Sequence, residues 1–247
     1  MKIKNLVKTL ALTAGIAASF SSHADLLDFQ IDETPYGGEI ISADKHNGGY
    51  KEIISFDGQG NFTATAFASM NQLFNNDGGD NLGAASQVGA NYSLYATFTA
   101  TGSISESPEE GVLATLSASS GSFQFYIDPD RDTEADDDLI ITGTADDSLL
   151  GSSNSIGRNF ANLYGFGGVF DFVFYDFELT EAGDAYYLSP TPFFTRVNVD
   201  GDFDTFSFEG TQRLTGDVSA VFIPEPSTLA VLGLGLIGLG ATSRRKS

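Results

Sequence analysis

The stretch Tyr-Lys-Glu-Ile-Ile-Ser-Phe-Asp-Gly-Gln-Gly-Asn-Phe-Thr-Ala-Thr-Ala-Phe, residues 50–67, carries the pattern that predicts the fold class. Apolar side chains alternate with polar or small ones on both sides of Asp57-Gly58-Gln59-Gly60. Because glycine readily adopts the positive φ that tight turns need, this segment predicts two strands joined as a β-hairpin.

The same alternation recurs along the chain, for example over residues 92–100 and 169–179. Roughly ten to twelve short strands separated by turns predict an all-β domain, either an antiparallel β-sandwich or a jelly roll. Asp200-Gly201-Asp202 predicts a further hairpin turn. Helix is expected only near residues 70–74 and 158–163.

The two ends of the chain differ in composition from the middle. Residues 1–24 have a lysine-rich start, an apolar centre and the small-x-small sequence Ser22-His23-Ala24, which together predict a signal peptide cleaved between Ala24 and Asp25. Residues 25–222 then form a β-rich extracellular domain, and residues 223–247 form a separate C-terminal signal.

The C-terminal signal has three parts: Pro224-Glu225-Pro226, an apolar run over residues 229–241, and the basic cluster Arg244, Arg245 and Lys246. The prolines favour an extended peptide that a protease can read. The apolar run is shorter than the roughly 20 residues of a typical spanning helix, so it predicts a short, marginal transmembrane helix. The basic cluster would stay on the cytoplasmic side.

This tripartite tail resembles the PEP-CTERM sorting domain of bacterial surface and matrix proteins. The resemblance implies that an exosortase-type membrane protease recognises Pro224, Glu225 and Pro226 after transient membrane anchoring through the C-terminal helix. It also implies export through the inner membrane and a final location at the cell surface or in the extracellular matrix. An ordinary C-terminal membrane anchor is the alternative interpretation of the tail.

Four blocks of the middle domain, at residues 29–34, 43–50, 125–133 and 189–194, resemble the flocculation-associated PEP-CTERM proteins. The resemblance implies an association with extracellular polysaccharide that supports cell aggregation in flocs or biofilms. That family has no established active site, so the resemblance assigns no catalytic residues to this chain.

The exported part is far more acidic than the whole chain, whose net charge is −21. All 33 acidic residues but only six of the 12 basic ones lie between Asp25 and Glu225, which gives this part a net charge of −27. Such a surface repels nucleic acid and favours cations or neutral partners. The chain has no cysteine, which excludes disulfides and thiolate chemistry.

The densest acidic run offers a candidate calcium site. Alternate positions of the run carry carboxylates, and calcium takes six to eight oxygen ligands. The run is not an EF-hand loop, because Thr133 stands at its sixth position and Leu139 at its twelfth. A solvated acidic loop is the other interpretation. The candidate ligands are Asp128, Asp130, Asp132, Glu134, Asp136 and Asp138.

Catalytic motifs are weak in this sequence. His46 is the only histidine after removal of the leader, and its glycine-rich surroundings predict a solvated turn. No nucleophile-elbow pattern supplies a serine for a triad. We therefore expect a non-enzymatic, C-terminally processed surface or matrix protein. The alternative is a secreted carbohydrate-binding or carbohydrate-active protein on a jelly-roll scaffold.

Overall fold

A computed structural model describes residues 26–223 of the chain. The predicted signal peptide, its cleavage site at Ala24 and Asp25, the sorting motif Pro224-Glu225-Pro226 and the C-terminal transmembrane helix lie outside the described residues. Within 26–223, no helix has both the length and the apolar composition needed to cross a membrane.

The described residues are mainly strands. The one α-helix among them, α1 (Glu181–Tyr186), begins at Thr180, whose Oγ1 accepts a hydrogen bond from Gly183 N at 3.2 Å. Short 3₁₀ turns lie at Thr34–Tyr36 and Gly83–Ala85. The strands are β1 (Phe29–Asp32), β2 (Ile40–Ala43), β3 (Lys45–Phe56), β4 (Asn61–Asn75), β5 (Asp80–Asn81), β6 (Ser93–Ser105), β7 (Ala114–Asp128), β8 (Glu134–Ala135), β9 (Ile141–Thr142), β10 (Ser148–Ser153), β11 (Ser155–Tyr164), β12 (Gly167–Tyr175), β13 (Glu178–Leu179), β14 (Tyr187–Ser189), β15 (Arg196–Phe203) and β16 (Thr211–Ile223).

Eight of these strands close into one antiparallel, barrel-like sheet. Going round the sheet, the order is β3, β4, β6, β7, β11, β12, β15 and β16, and β16 pairs with β3 to close it. The all-β prediction is therefore confirmed, whereas the sandwich or jelly roll is not. Alternating side chains give each strand one inward face, and that face looks the same in the sequence whether two sheets pack together or one sheet closes on itself.

An asparagine side chain completes the seam between β7 and β11. Main-chain pairing there covers only Ala114 to Leu116 on β7, while β10 pairs with the other end of β7. Between these two regions Asn159 Oδ1 accepts from Ala118 N at 2.6 Å, and its Nδ2 donates to Ala118 O at 3.0 Å. The amide thus replaces a missing pair of ladder bonds.

A small three-stranded sheet, β14-β1-β2, covers one end of the closed sheet. Phe29 of β1 is fully buried, with its ring centroid 5.6 Å from Tyr187, 5.5 Å from Phe222 and 5.0 Å from His46. This end of the interior is therefore packed with aromatic side chains, which stabilise it through their large apolar area.

Three local predictions are wrong. Residues 196–203 form one continuous strand, so Asp200-Gly201-Asp202 is not a turn. A Cβ on Gly201 would lie 2.2 Å from Asp217 O and 2.7 Å from the Phe170 ring, so glycine is needed there for close approach. The two expected helical segments, near residues 70–74 and 158–163, belong to β4 and β11 because their apolar side chains face the interior of the sheet.

Candidate functional site

The acidic run begins at Asp128, the last residue of β7, and continues through the connection to β10. Asp128 is fully buried and organises the first turn of this connection. Its carboxylate accepts hydrogen bonds from Ser93 Oγ at 2.9 Å, Arg131 N at 2.6 Å and Thr133 N at 3.1 Å. Desolvation opposes the charged form, but these donors outweigh it, so the pKa of Asp128 is lowered.

Three of the six predicted calcium ligands come together. Oxygen atoms of Asp128, Asp130 and Asp132 all lie within 4.8 Å of one another. Partial desolvation, followed by the charge of Asp130, raises the pKa of Asp132. Three carboxylates fit a hard cation such as calcium, with water completing the six to eight oxygens. Calcium binding at these three residues stays a prediction.

The other three predicted ligands serve the loop itself. Glu134 lies on β8, while Asp136 Oδ1 accepts hydrogen bonds from Asp138 N and Ile140 N, both at 2.9 Å. Asp138 forms an ion pair with Arg213 of β16. These carboxylates therefore support the second half of the loop and do not join the cluster formed by the first three.

The second half of the acidic run docks against the outside of the closed sheet. Lys51 of β3 donates to Ala135 O at 3.1 Å and pairs with Asp137 at 3.3 Å. Arg213 Nε donates to Asp137 O at 2.9 Å. Exposed pairs of this kind contribute about 0 to 1 kcal/mol each, so they position the loop more than they stabilise the fold.

His46 is not in a solvated turn, and that prediction is wrong. It lies in β3, is fully buried, and its Nε2 is 3.0 Å from Tyr187 Oη. Burial lowers its pKa to about 3, so the ring is neutral at physiological pH. The neighbouring Gly48 suggested a turn, but a Cβ there would lie 1.6 Å from Ser69 O, so this glycine permits close strand contact.

Two buried carboxylates, Glu33 and Asp44, and the half-buried Glu52 escaped the sequence analysis. Glu33 is fully buried and accepts hydrogen bonds from Ser86 Oγ at 2.6 Å, Tyr92 Oη at 2.7 Å and Gln87 N at 3.0 Å. Glu52 lies on the inward face of β3. Its signal was visible in the opening stretch, where it occupies the same alternating phase as Tyr50, Ile54 and Phe56.

Comparison with known proteins bears on the end of the chain. No curated protein and no solved structure matches the chain. A family model described as the PEP-CTERM protein-sorting motif matches residues 222–246, a segment that contains Pro224, Glu225 and Pro226. The match also covers the apolar run and the basic cluster. The chain is therefore a protein that carries the PEP-CTERM protein-sorting motif, at residues 222–246.

Proposed function

We propose that this chain is an exported, C-terminally processed surface or matrix protein that associates with extracellular polysaccharide and supports cell aggregation. The observation that carries the proposal is the sorting motif at residues 222–246. The motif implies export, processing by an exosortase-type membrane protease, and a location at the cell surface or outside the cell.

The position of the motif relative to the fold supports a C-terminal sorting signal that can be cleaved off. β16 ends at Ile223, which pairs with Arg196, and the preceding Phe222 is buried against Phe177 with ring centroids 5.4 Å apart. The closed sheet is thus complete at the residue before Pro224. Cleavage at or beyond the motif removes the apolar run and the basic cluster and leaves every strand within residues 26–223 whole.

The chemistry of the domain supports a structural role outside the cell. The domain has few basic residues to balance its many acidic ones, and a strongly charged surface keeps a protein soluble. Such a surface is compatible with neutral polysaccharides or cations as partners. We propose that it is not an enzyme. His46, the histidine that a catalytic triad in the mature chain would need, is fully buried, and its lowered pKa makes it a weak base.

The test combines gene deletion with a change in the motif. Deletion should reduce floc or biofilm formation, and the wild-type gene should restore it. A triple variant, Pro224→Ala with Glu225→Ala and Pro226→Ala, should leave unprocessed protein in the membrane fraction and fail to restore aggregation. Pro108→Ala, in an exposed loop, is the matched control and should behave as wild type.

Two results would contradict the proposal. Unchanged aggregation after deletion removes the role in flocs. Release of soluble sugars from polysaccharide incubated with the purified protein would show an enzyme instead. Saturable binding without product release supports the proposal.

A further inference from the structure

The closed sheet encloses an apolar cavity that its own side chains do not fill. About 70 Å³ is open to water-sized molecules, which is room for several waters or a short alkyl chain. One wall, from β4 and β6, is lined by the small residues Ala64, Ala66, Ala68, Ala96 and Ala100. The aromatic rings of Phe170 and Phe172 contribute to the lining from β12.

Glu52 is the one charged residue of this lining, and it faces the cavity. Its neighbours across the sheet are Ala66 on β4 and Leu214 on β16, and neither provides a hydrogen-bond donor side chain. Glu52 lies inside the closed sheet and is half-buried, so part of its surface is uncovered where it lines the cavity. Within residues 26–223, no group donates a hydrogen bond to its carboxylate.

Glu33, another interior carboxylate, differs from Glu52 in having hydrogen-bond donors around it. Glu33 is buried and receives hydrogen bonds from two hydroxyls and a backbone amide. Glu52 receives none from the described chain, and burial raises its pKa to about 7. An interior acid without donors is costly to the fold, and interior polar groups in native proteins nearly always have a partner from protein or water. A hydrogen-bond donor for Glu52 therefore comes from outside the described chain, from water or from a bound ligand.

We infer that this cavity binds a small molecule with an apolar body and a primary ammonium group, and that the ammonium group pairs with the carboxylate of Glu52. The alanine wall and the phenylalanine rings suit a short alkyl body, because burial of apolar surface favours binding. An ammonium ion donates up to three hydrogen bonds and matches the charge of the carboxylate. An anionic ligand would meet both Glu52 and the acidic surface, whereas that surface attracts cations.

Phe206 marks the side from which a ligand can enter. It is the only residue of the lining that lies off the strands, in the connection between β15 and β16. Its ring packs on Phe56, Phe203 and Phe208 at centroid distances of 5.5 to 5.6 Å. The opposite end is covered by β1 and the buried ring of Phe29. A connection moves more easily than a paired strand, so entry past Phe206 needs no broken ladder.

The test compares three probes of equal chain length that match the small cavity: propylamine, propanol and propionate. Calorimetry on the purified protein at about pH 8 should show propylamine binding about tenfold or more tightly than propanol, with no binding of propionate. Glu52→Gln should abolish the preference for the amine. Glu110→Gln, which removes an exposed carboxylate, is the matched control and should keep it. Ala66→Leu fills the space beside Glu52 and should weaken all binding.

Acid provides a second measurement that needs no substitution. Tyr50 is the other titratable residue of the lining, and burial followed by the charge of Glu52 raises its pKa, so it stays neutral throughout. Lowering the pH from about 8 to about 5.5 protonates Glu52 and should weaken propylamine binding by about tenfold or more, because only the ionised fraction of Glu52 pairs with the amine.

Three outcomes overturn the inference. The first is equal affinity for propylamine and propanol in the wild type. The second is an amine preference that survives Glu52→Gln, since the amine would then bind elsewhere on the acidic surface. The third is no binding of any probe by a protein whose circular dichroism and unfolding transition are intact.

Discussion

Replacing Glu52 by glutamine should make the protein more stable at neutral pH and leave its stability nearly unchanged in mild acid. The pKa of Glu52 is raised by burial from 4.5 to about 7. The folded state therefore holds the proton more tightly than the unfolded state. This contribution to stability is fully present below about pH 4.5 and is lost as the pH rises through about 7.

The size of the effect follows from the same shift. A difference of about 2.5 pKa units at 1.36 kcal/mol per unit corresponds to about 3 kcal/mol of destabilisation by the ionised Glu52 at about pH 8. Glutamine has nearly the same shape and carries no charge, so it removes this term. Water that enters the cavity would solvate the carboxylate and make the gain smaller.

Urea unfolding of the wild type and Glu52→Gln, each at about pH 5 and about pH 8, measures the effect. The free energy of unfolding of Glu52→Gln, relative to that of the wild type, should rise by about 2 to 3 kcal/mol from about pH 5 to about pH 8. Because both proteins share every other titrating group, the difference isolates Glu52. The exposed-site variant Glu110→Gln should show no such pH dependence. The same free-energy difference at both pH values for Glu52→Gln would refute an ionising, cavity-facing carboxylate.

Three further predictions concern other parts of the chain. Burial lowers the pKa of His46 from 6.5 to about 3, so its neutral form contributes stability above about pH 6.5 that is lost as the pH falls. Between about pH 6.5 and about pH 5, His46→Phe should therefore lose about 2 kcal/mol less free energy of unfolding than the wild type in denaturant titrations. Millimolar calcium should raise the melting temperature and a chelator should reverse the rise, and the double change of Asp130 and Asp132 to asparagine should remove the response; an unchanged wild-type transition would exclude the site. Gly201→Ala should cost about 1 to 3 kcal/mol because its Cβ would overlap Asp217 O, whereas Gly165→Ala, with open space around it, should have little effect; equal unfolding midpoints would contradict the close approach at Gly201.

The sequence predicted strands well where alternation was regular. The hairpin of β3 and β4 pairs Phe56 with Phe62 around the predicted turn. The prediction was wrong where a glycine allows close contact between strands and does not form a turn. Asp-Gly-Asp at 200–202 has the composition of a turn, yet Gly201 is in mid-strand, where the carbonyl oxygen of Asp217 and the ring of Phe170 leave no room for a side chain. Glycine permits both a positive φ and a close approach, and residue identity alone does not distinguish them.

The acidic run shows a similar division within the candidate site. Alternation marked six carboxylates as one set, but only Asp128, Asp130 and Asp132 converge. The others are drawn away by contacts distant in the sequence, such as the ion pair of Asp138 with Arg213. Long-range pairs of this kind depend on where the loop packs against the sheet, and a local sequence pattern does not contain that information.

The sequence by itself determined the sorting motif, the excess of acidic residues and the all-β class. A sorting motif is read as a linear peptide, a net charge is a sum over residues, and strand alternation is local. Only the tertiary structure decided that the strands close into one sheet, that His46 is buried, and that Glu52 faces an apolar cavity without a partner. These features depend on which strands become neighbours, and the pairing of β16 with β3 joins segments some 170 residues apart, such as Ala220 and His46.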